Sequence, residues 1–497
     1  MNESLDRREI RILVLVAGLT ALRLAVAPFL PLASDEAYYW RWSQHLAPGY
    51  YDHPPTVAAW IAAGRLLLGD THLGVRLFFI LSALPATWAV WRAAAIFTRD
   101  RRLAGTGALY FNLTLFVLVG TVIATPDTPL LLAAAFLMYF LAKLLETANG
   151  AWWLAIGAAV GFGLLSKYTA LFWGPSVLIA MLLLPDLRRW FAAPWPWIGG
   201  VLAFAIFTPT ILWNASHDWI SFRFQLGRAA SAGFRPQFVA EYVGALFGMA
   251  TPSVFVLGVM GLAAIWRGKG ADRNARVVLG ALIWPLLLYF LWHAFGGRVE
   301  GNWVAPIFPA LTVVAAIAAA AVDWDGLASR AAAFARRTAV PVALTMAAIV
   351  YLQALTGLIP IGRNEPTGRI LAVGMADVAG RLEDMREQTD AKGFLAPSYA
   401  LTGWLDFYLP RDVPVIQIGQ RYRWYQEPDP PAEMLAGPLL YIERAGARTP
   451  AIGSYRQVEK LGRLIRRRGA SAIEEYDVFL VSDPSGDPLD RGPPARR

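Results

Sequence analysis

Apolar residues fill most of the first 360 positions in long runs separated by brief polar stretches. A helix needs about 20 mostly apolar residues to cross a hydrocarbon core of about 30 Å. Runs on that scale fall at 11–31, 74–97, 103–123, 128–145, 151–166, 169–185, 195–213, 238–266, 277–295, 304–322 and 339–359. The pattern predicts about eleven spanning helices. The runs at 151–166 and 169–185 are short and tightly joined. The leading MNESLDRREIR does not read as a signal peptide, because the run behind it is too long and no small-residue cleavage site follows.

Beyond residue 359 the periodicity changes. A helical pattern over Val373–Arg386 is followed by a strand-like GFLAP at 393–397. A second helical pattern, Tyr399–Leu409, leads into PVIQI at 414–418, with PLLYIE at 438–443 and YDVFLV at 476–481 further on. Helices alternating with short apolar strands predict a small α/β domain. After Ser482, proline, glycine and charge prevail, the composition of a disordered tail. The expected fold class is a polytopic α-helical membrane protein with a small C-terminal α/β domain. Its divisions are 1–359 membrane-embedded, 360–482 α/β and 483–497 tail.

Composition agrees. The chain is 56% hydrophobic and 16% charged, against about 45–50% and about 25% in soluble domains. That excludes an ordinary soluble enzyme. Cys 0 excludes thiol nucleophiles, cysteine zinc sites and disulfides. The net charge of +9 reads as topology rather than nucleic-acid binding. With the N-terminus inside, inner segments carry Arg7, Arg8, Arg11, Arg99, Arg101, Arg102, Lys143, Arg188, Arg189, Arg267, Lys269, Arg273, Arg276, Arg330, Arg336 and Arg337. Outer loops hold only Arg41, Arg65, Lys167, Arg223, Arg228, Arg235 and Arg298. This bias is the positive-inside pattern, and an odd span count places the C-terminal region outside.

The outer loops carry the candidate chemistry. The first contains Ser34-Asp35-Glu36-Ala37-Tyr38-Tyr39-Trp40 and Tyr50-Tyr51-Asp52-His53-Pro54-Pro55. Ser34 is placed to cap a short helix whose first turn carries both acids, a purely structural use of them. The second loop, Thr125-Pro126-Asp127-Thr128-Pro129, is short enough to fix Asp127 near the membrane surface. Ser166-Lys167-Tyr168 places a cation between apolar runs, where it either snorkels or binds an anion. His217 and Asp218 follow Asn214, and Arg298, Glu300 and Asn302 form a polar insert before Trp303. Ionisable groups at a membrane are costly and point to function. Paired carboxylates with nearby cations suit removal of a proton from an acceptor hydroxyl and departure of a phosphate. An outer site implies a donor carried in the membrane.

The Asp35-Glu36-Ala37-Tyr38-Tyr39-Trp40 segment, with Tyr51-Asp52-His53-Pro54-Pro55, resembles the first-loop signature of bacterial GT-C glycosyltransferases. The branch contains protein O-mannosyltransferases and the lipid A aminoarabinose transferase. The likeness continues through 125–129, Ser166-Lys167-Tyr168 and Glu300-Gly301-Asn302-Trp303. It implies an inverting transferase that uses a polyprenyl-phosphate sugar in a bacterial inner membrane, with its catalytic face and C-terminal domain periplasmic. Asp35 maps to the catalytic base, Glu36 to its companion and Asp127 to a supporting acid. Lys167, then Arg298, match cations on the donor phosphate. Tyr38, Tyr51, Asp52, His53, His217, Asp218, Glu300 and Asn302 are expected to line the cavity. The resemblance implies no required cofactor, although the acidic loops are of a kind that binds divalent metals. Tyr38, Tyr39, Trp40 and Tyr51 read either as sugar-stacking faces or as an interfacial aromatic belt.

The resemblance leaves the acceptor open between lipid A or another envelope glycan and a protein. A transporter or lipid flippase is the rival of another class. It would place its ionisable groups nearer the midplane and in two related halves. Arg466-Arg467-Arg468 reads as a solvated helix end rather than a nucleic-acid patch. The Asn112 and Asn214 sequons read as chance matches, and the small residues at 157–163 as close helix packing.

Overall fold

The computed structural model describes residues 6–229, 233–359, 361, 365–446 and 451–492. The chain divides into two compact units. One comprises Met1–Val26, His53–Val57 and Arg76–Val350; the other comprises Ala27–Asp52, Ala58–Val75 and Tyr351–Arg497.

The first unit is helical. Across the described residues, 7 helices are long and apolar enough to cross a membrane, and 3 bent pairs raise the number to 10 if each is one span. The expected run at 151–166 forms a helix of only 15 residues, Trp152–Ser166. The expected run at 238–266 is not one helix. Gln237–Ala250 and Pro252–Trp266 meet at 107°, because Pro252 has no N–H to continue the first helix and Thr251 takes a φ of 66°. At 103–123 the bend is 63°. It falls at Thr114, whose extended backbone ends one helix while its hydroxyl accepts from Val117 N to begin the next. Gly157 lies against the Gly199 backbone and Gly199 against the Trp153 carbonyl, each too close for a β-carbon, as the small-residue pattern predicts. Arg23 is buried, and its guanidinium is satisfied by the Leu19 and Val117 carbonyls and the hydroxyls of Thr20 and Thr121.

The second unit is built on a five-stranded sheet of order β2-β1-β3-β5-β4. Its strands are β1 Phe394–Ala396, β2 Val415–Gln417, β3 Leu439–Arg444, β4 Tyr455–Arg468 and β5 Ser471–Pro484. β1 pairs in parallel with β2 and β3, with Leu395 opposite Ile416 and Tyr441. β5 runs antiparallel to β3 and β4, with Leu440 opposite Leu480. Helices Met375–Thr389 and Tyr399–Tyr408 flank the strands in sequence.

Part of the first polar loop belongs to this unit, contrary to a linear division at residue 359. Ala33 bridges to Leu371, Ala372 N donates to the Leu32 carbonyl at 2.8 Å, and the Trp404 indole donates to the same carbonyl at 3.2 Å. Arg466-Arg467-Arg468 is strand rather than helix end, and Arg466 is buried. Arg466 donates to the carbonyls of Gly368 and Leu371, and Arg468 to those of Gln353 and Ala354. The expected tail is also ordered beyond Ser482. β5 ends at Pro484, Leu489 is buried with Ile418 and Val481, and Asp490 exchanges backbone bonds with Ile418 and Arg421. Residues 493–497 lie outside the described residues.

Candidate active site

The Asp35-Glu36 pair opens a helix, Ser34–Trp42, whose remaining face is aromatic and buried. Its cap is Ala33 rather than Ser34. Glu36 is fully buried, and its carboxylate reaches back to accept from Ala33 N at 2.8 Å. That arrangement satisfies one of the orphan donors of the helix start. Asp35, one position earlier, is exposed and, among the described residues, accepts a single hydrogen bond, from the Tyr399 hydroxyl at 3.2 Å. Among the described residues no cation lies within ion-pair distance of Asp35. The protein packed around it, and then the Asp52 carboxylate, raise its pKa above the ordinary carboxylate value; Tyr399 and Arg423 act the other way. Two acids adjacent in sequence thus have opposite roles: one is consumed by the fold and the other is open.

Asp52 completes this cluster. Both its oxygens accept from Arg423 Nη1, at 3.0 and 2.8 Å, and Oδ2 also accepts from the Tyr38 hydroxyl at 2.8 Å. The Arg423 guanidinium carbon lies 4.8 Å from the ring centroids of both Tyr51 and Tyr399. Tyr38 packs on Trp42, Tyr399 and Trp424 at centroid separations of 4.5, 4.7 and 4.9 Å. Trp40 is buried with its indole N–H on Asp70. The first-loop aromatics are therefore neither an interfacial belt nor bare stacking faces; they form the core that seats the two acids.

A second cluster lies in the helical unit. Asp127 begins the helix Asp127–Thr147 and is buried. It accepts from Lys167 Nζ at 2.7 Å and from Asn302 Nδ2 at 2.6 Å. Lys167 takes an extended conformation at the end of Trp152–Ser166, which turns its side chain out of the helical run. Arg228 covers the neighbouring Trp303 ring at 4.8 Å. Among the described residues Arg228 forms no ion pair with a carboxylate. Burial, Lys167 and Arg228 together push the His53 imidazole well below its usual range, which keeps it neutral.

The remaining expected residues are exposed or bound to other partners. Arg298 is exposed and paired with Glu241 at 2.9 Å, not with the Asp127 group. Glu300 is exposed. His217 stacks on Trp213 and bonds its carbonyl at 2.7 Å, and Asp218 is exposed at a φ of 54°. Asn112 and Asn214 are buried and occupied, Asn112 by Thr87 and Ala108, Asn214 by Thr210 and Phe222. Among the described residues no group of three or more His, Asp or Glu side chains is placed to hold a metal ion. Sequence reasoning missed Tyr399 and Arg423. They lie more than 360 positions from Asp35 and Asp52, in a region whose pattern speaks only of strands and helices.

Residues 52–213 match the family described as dolichyl-phosphate-mannose-protein mannosyltransferase. Over 94% of this chain and 97% of the other, the fold aligns with ArnT of Cupriavidus metallidurans bound to undecaprenyl phosphate, at 16% identity and a TM-score of 0.66. The chain has the GT-C fold. A further GT-C match is the oligosaccharyltransferase AglB of Archaeoglobus fulgidus, in complex with an inhibitory peptide and a dolichol-phosphate. It aligns at a TM-score of 0.52 and 10% identity over 80% of this chain and 63% of that one. In sequence, the chain is 30% identical over 310 residues to the lipid A galacturonosyltransferase RgtD of Rhizobium johnstonii. The alignment takes in 61% of this GT-C chain and 64% of the length of that curated relative.

Proposed function

We propose that the protein is an inverting glycosyltransferase that moves a sugar from a polyprenyl-phosphate donor to a lipid A or lipopolysaccharide acceptor. The observation that carries this reading is the contrast between Asp35 and Glu36. A general base must be reachable and not already neutralised, and Asp35 meets both conditions while Glu36 caps a helix. The acceptor hydroxyl gives its proton to Asp35 as its oxygen bonds to the anomeric carbon. The bond from that carbon to the phosphate oxygen breaks, and its electron pair leaves with polyprenyl phosphate. Attack from the face opposite the phosphate inverts the centre.

Lys167 and Arg228 hold the departing phosphate as its charge grows, and Asp127 with Asn302 aims the Lys167 ammonium. An apolar cleft of about 630 Å³, lined by Trp153, Trp173, Met181, Phe191, Trp197 and Phe204, suits a prenyl tail. The undecaprenyl phosphate bound to ArnT supports the donor class, and likeness to the lipid A galacturonosyltransferase RgtD supports the acceptor class. The charge bias supports a cytoplasmic N-terminus and a periplasmic C-terminal region, and likeness to the bacterial proteins ArnT and RgtD supports an inner membrane location.

The test compares wild type with D35N, both purified from native membranes in mild detergent. Mass spectrometry of the co-purifying lipids is expected to find a polyprenyl-phosphate sugar, enriched in D35N because turnover is blocked. Transfer from a labelled donor in membranes should fall by about a hundredfold or more, the usual worth of a positioned base. Full transfer by D35N would remove Asp35 as the base. Labelled protein in place of labelled lipid would move the acceptor to the protein O-glycosyltransferase class.

A further inference from the structure

Asp35 is not held by its own loop alone. It accepts a hydrogen bond from Tyr399, and the Tyr399 ring lies against the Arg423 guanidinium. The same guanidinium grips Asp52 through Nη1, while its Nε donates to Gln420 Oε1 at 2.7 Å. Tyr38 closes the circuit, with its hydroxyl on Asp52 and its ring on Tyr399. The turn Arg421–Trp424 that presents Arg423 is itself fixed. Gln420 enters it at a φ of 55°, and Trp424, buried, donates to Gln417 Oε1 at 2.7 Å on β2.

We propose that Arg423 is a positioning residue for the candidate base: it neutralises Asp52 and holds Tyr399 on the Asp35 carboxylate. The assignment rests on Asp35 being the base. The groups that face Asp35 within this unit are Glu36 and Tyr39 on its own helix, Asp52 after it, Tyr399 on the helix Tyr399–Tyr408, and Arg423 on the turn. Of these Arg423 is the cation. Without it, the Asp52 charge acts on Asp35 with no guanidinium to offset it, and the base binds its proton more tightly. Lysine keeps the charge but cannot lie as a flat fork between two rings while binding both Asp52 and Gln420.

The experiment measures transfer against pH for wild type, R423M, R423K, D52N and D52N/R423M in native membranes. In R423M the acid limb of the kcat profile is expected to move up by on the order of one pH unit. At the midpoint of the wild-type limb that lowers kcat by about fivefold, and by about tenfold well below it, with the donor KM changed much less. R423K should keep the limb near its wild-type position and lose kcat. Removing the Asp52 charge in D52N/R423M should return the limb towards wild type. Should R423M not fold, D52N on its own moves the limb downwards if the Asp52 charge reaches the base. An unmoved limb in R423M, or in D52N if R423M is lost, overturns the assignment, as does a double variant no better than R423M. These outcomes are separate from the fate of Asp35. If D35N abolishes transfer while R423M leaves the profile unmoved, the base stands and only the role of Arg423 falls. If D35N transfers normally, the reading beneath both is wrong.

Discussion

Replacing Lys167 with methionine keeps an unbranched stem and removes the cation from a buried ion pair. Side-chain exposure is 11% for Lys167 and 2% for Asp127, so the carboxylate left behind cannot be rehydrated without opening the structure. It retains the bond from Asn302 at 2.6 Å, one neutral donor where an ammonium had been. Breaking a buried pair by removing one partner costs about 3–5 kcal/mol. At about 1.4 kcal/mol per decade, even the lower end is a loss of roughly a hundredfold in the folding equilibrium. The double variant D127N/K167M carries no uncompensated charge and should regain at least half of that loss. Thermal unfolding in detergent, followed by tryptophan fluorescence, orders the three proteins: wild type, then the double variant, then K167M. Transfer should not follow the same order, because the double variant still lacks the cation assigned to the donor phosphate. A K167M protein as stable as wild type would refute the energetic reasoning. A double variant that recovers both stability and transfer would make Lys167 a purely structural residue.

E36A removes the carboxylate that reaches back to Ala33 N and should cost about 1 kcal/mol, read by chemical denaturation, whereas D35N should leave stability nearly unchanged. In G403A the new β-carbon would meet the backbone of Ala37 and Tyr38 at 3.0 Å. Overpacking of this kind costs about 1–3 kcal/mol, and here it pushes the Asp35 helix from its seat; faster limited proteolysis and reduced transfer are the expected results. His53 is held neutral by a depressed pKa, so below about pH 6.5 the unfolded chain binds a proton that the folded one refuses. Stability should therefore fall as pH drops through that value, and H53Q should flatten the dependence. An identical slope in the variant would assign the effect to another group.

Much of the helical unit is legible because spanning a membrane is a demand on length and apolarity alone. The runs at 74–97, 128–145 and 195–213 each lie within one long helix, and that at 277–295 overruns the end of Arg273–His293 by two residues. Bends are less legible, since hydropathy does not distinguish one span from two helices meeting at Thr251-Pro252. In the C-terminal region the short apolar strands emerged as β1, β2 and β3, while β4 was hidden by its charge. An outermost strand has one unpaired edge and tolerates Arg456, Glu459, Lys460 and Arg463, so no alternation marks it. At the site, acids adjacent to aromatics were visible as a motif. Which of the two was free was not, because that depends on a bond to Ala33 and on a hydroxyl from Tyr399. Arg298 was a reasonable cation by position, and only its distance to Glu241 shows it engaged elsewhere.

The sharing of the first polar loop with the C-terminal sheet also bears on how such a gene can change. Ending the chain at 359 would take Tyr399 from Asp35 and Arg423 from Asp52, and leave the Leu32 carbonyl without Trp404 and Ala372. It would also strip Arg468 from the last carbonyls of the helix Gly326–Thr356. The sheet is thus no appended module to be lost or borrowed. Recombination that swapped the 3′ part of the gene with that of a relative would give a chain whose acid is native and whose partners are foreign. Inheritance of the two stretches is bound together across more than 300 intervening residues, and a chimera would need Tyr399 and Arg423 restored before Asp35 could be seated as it is here.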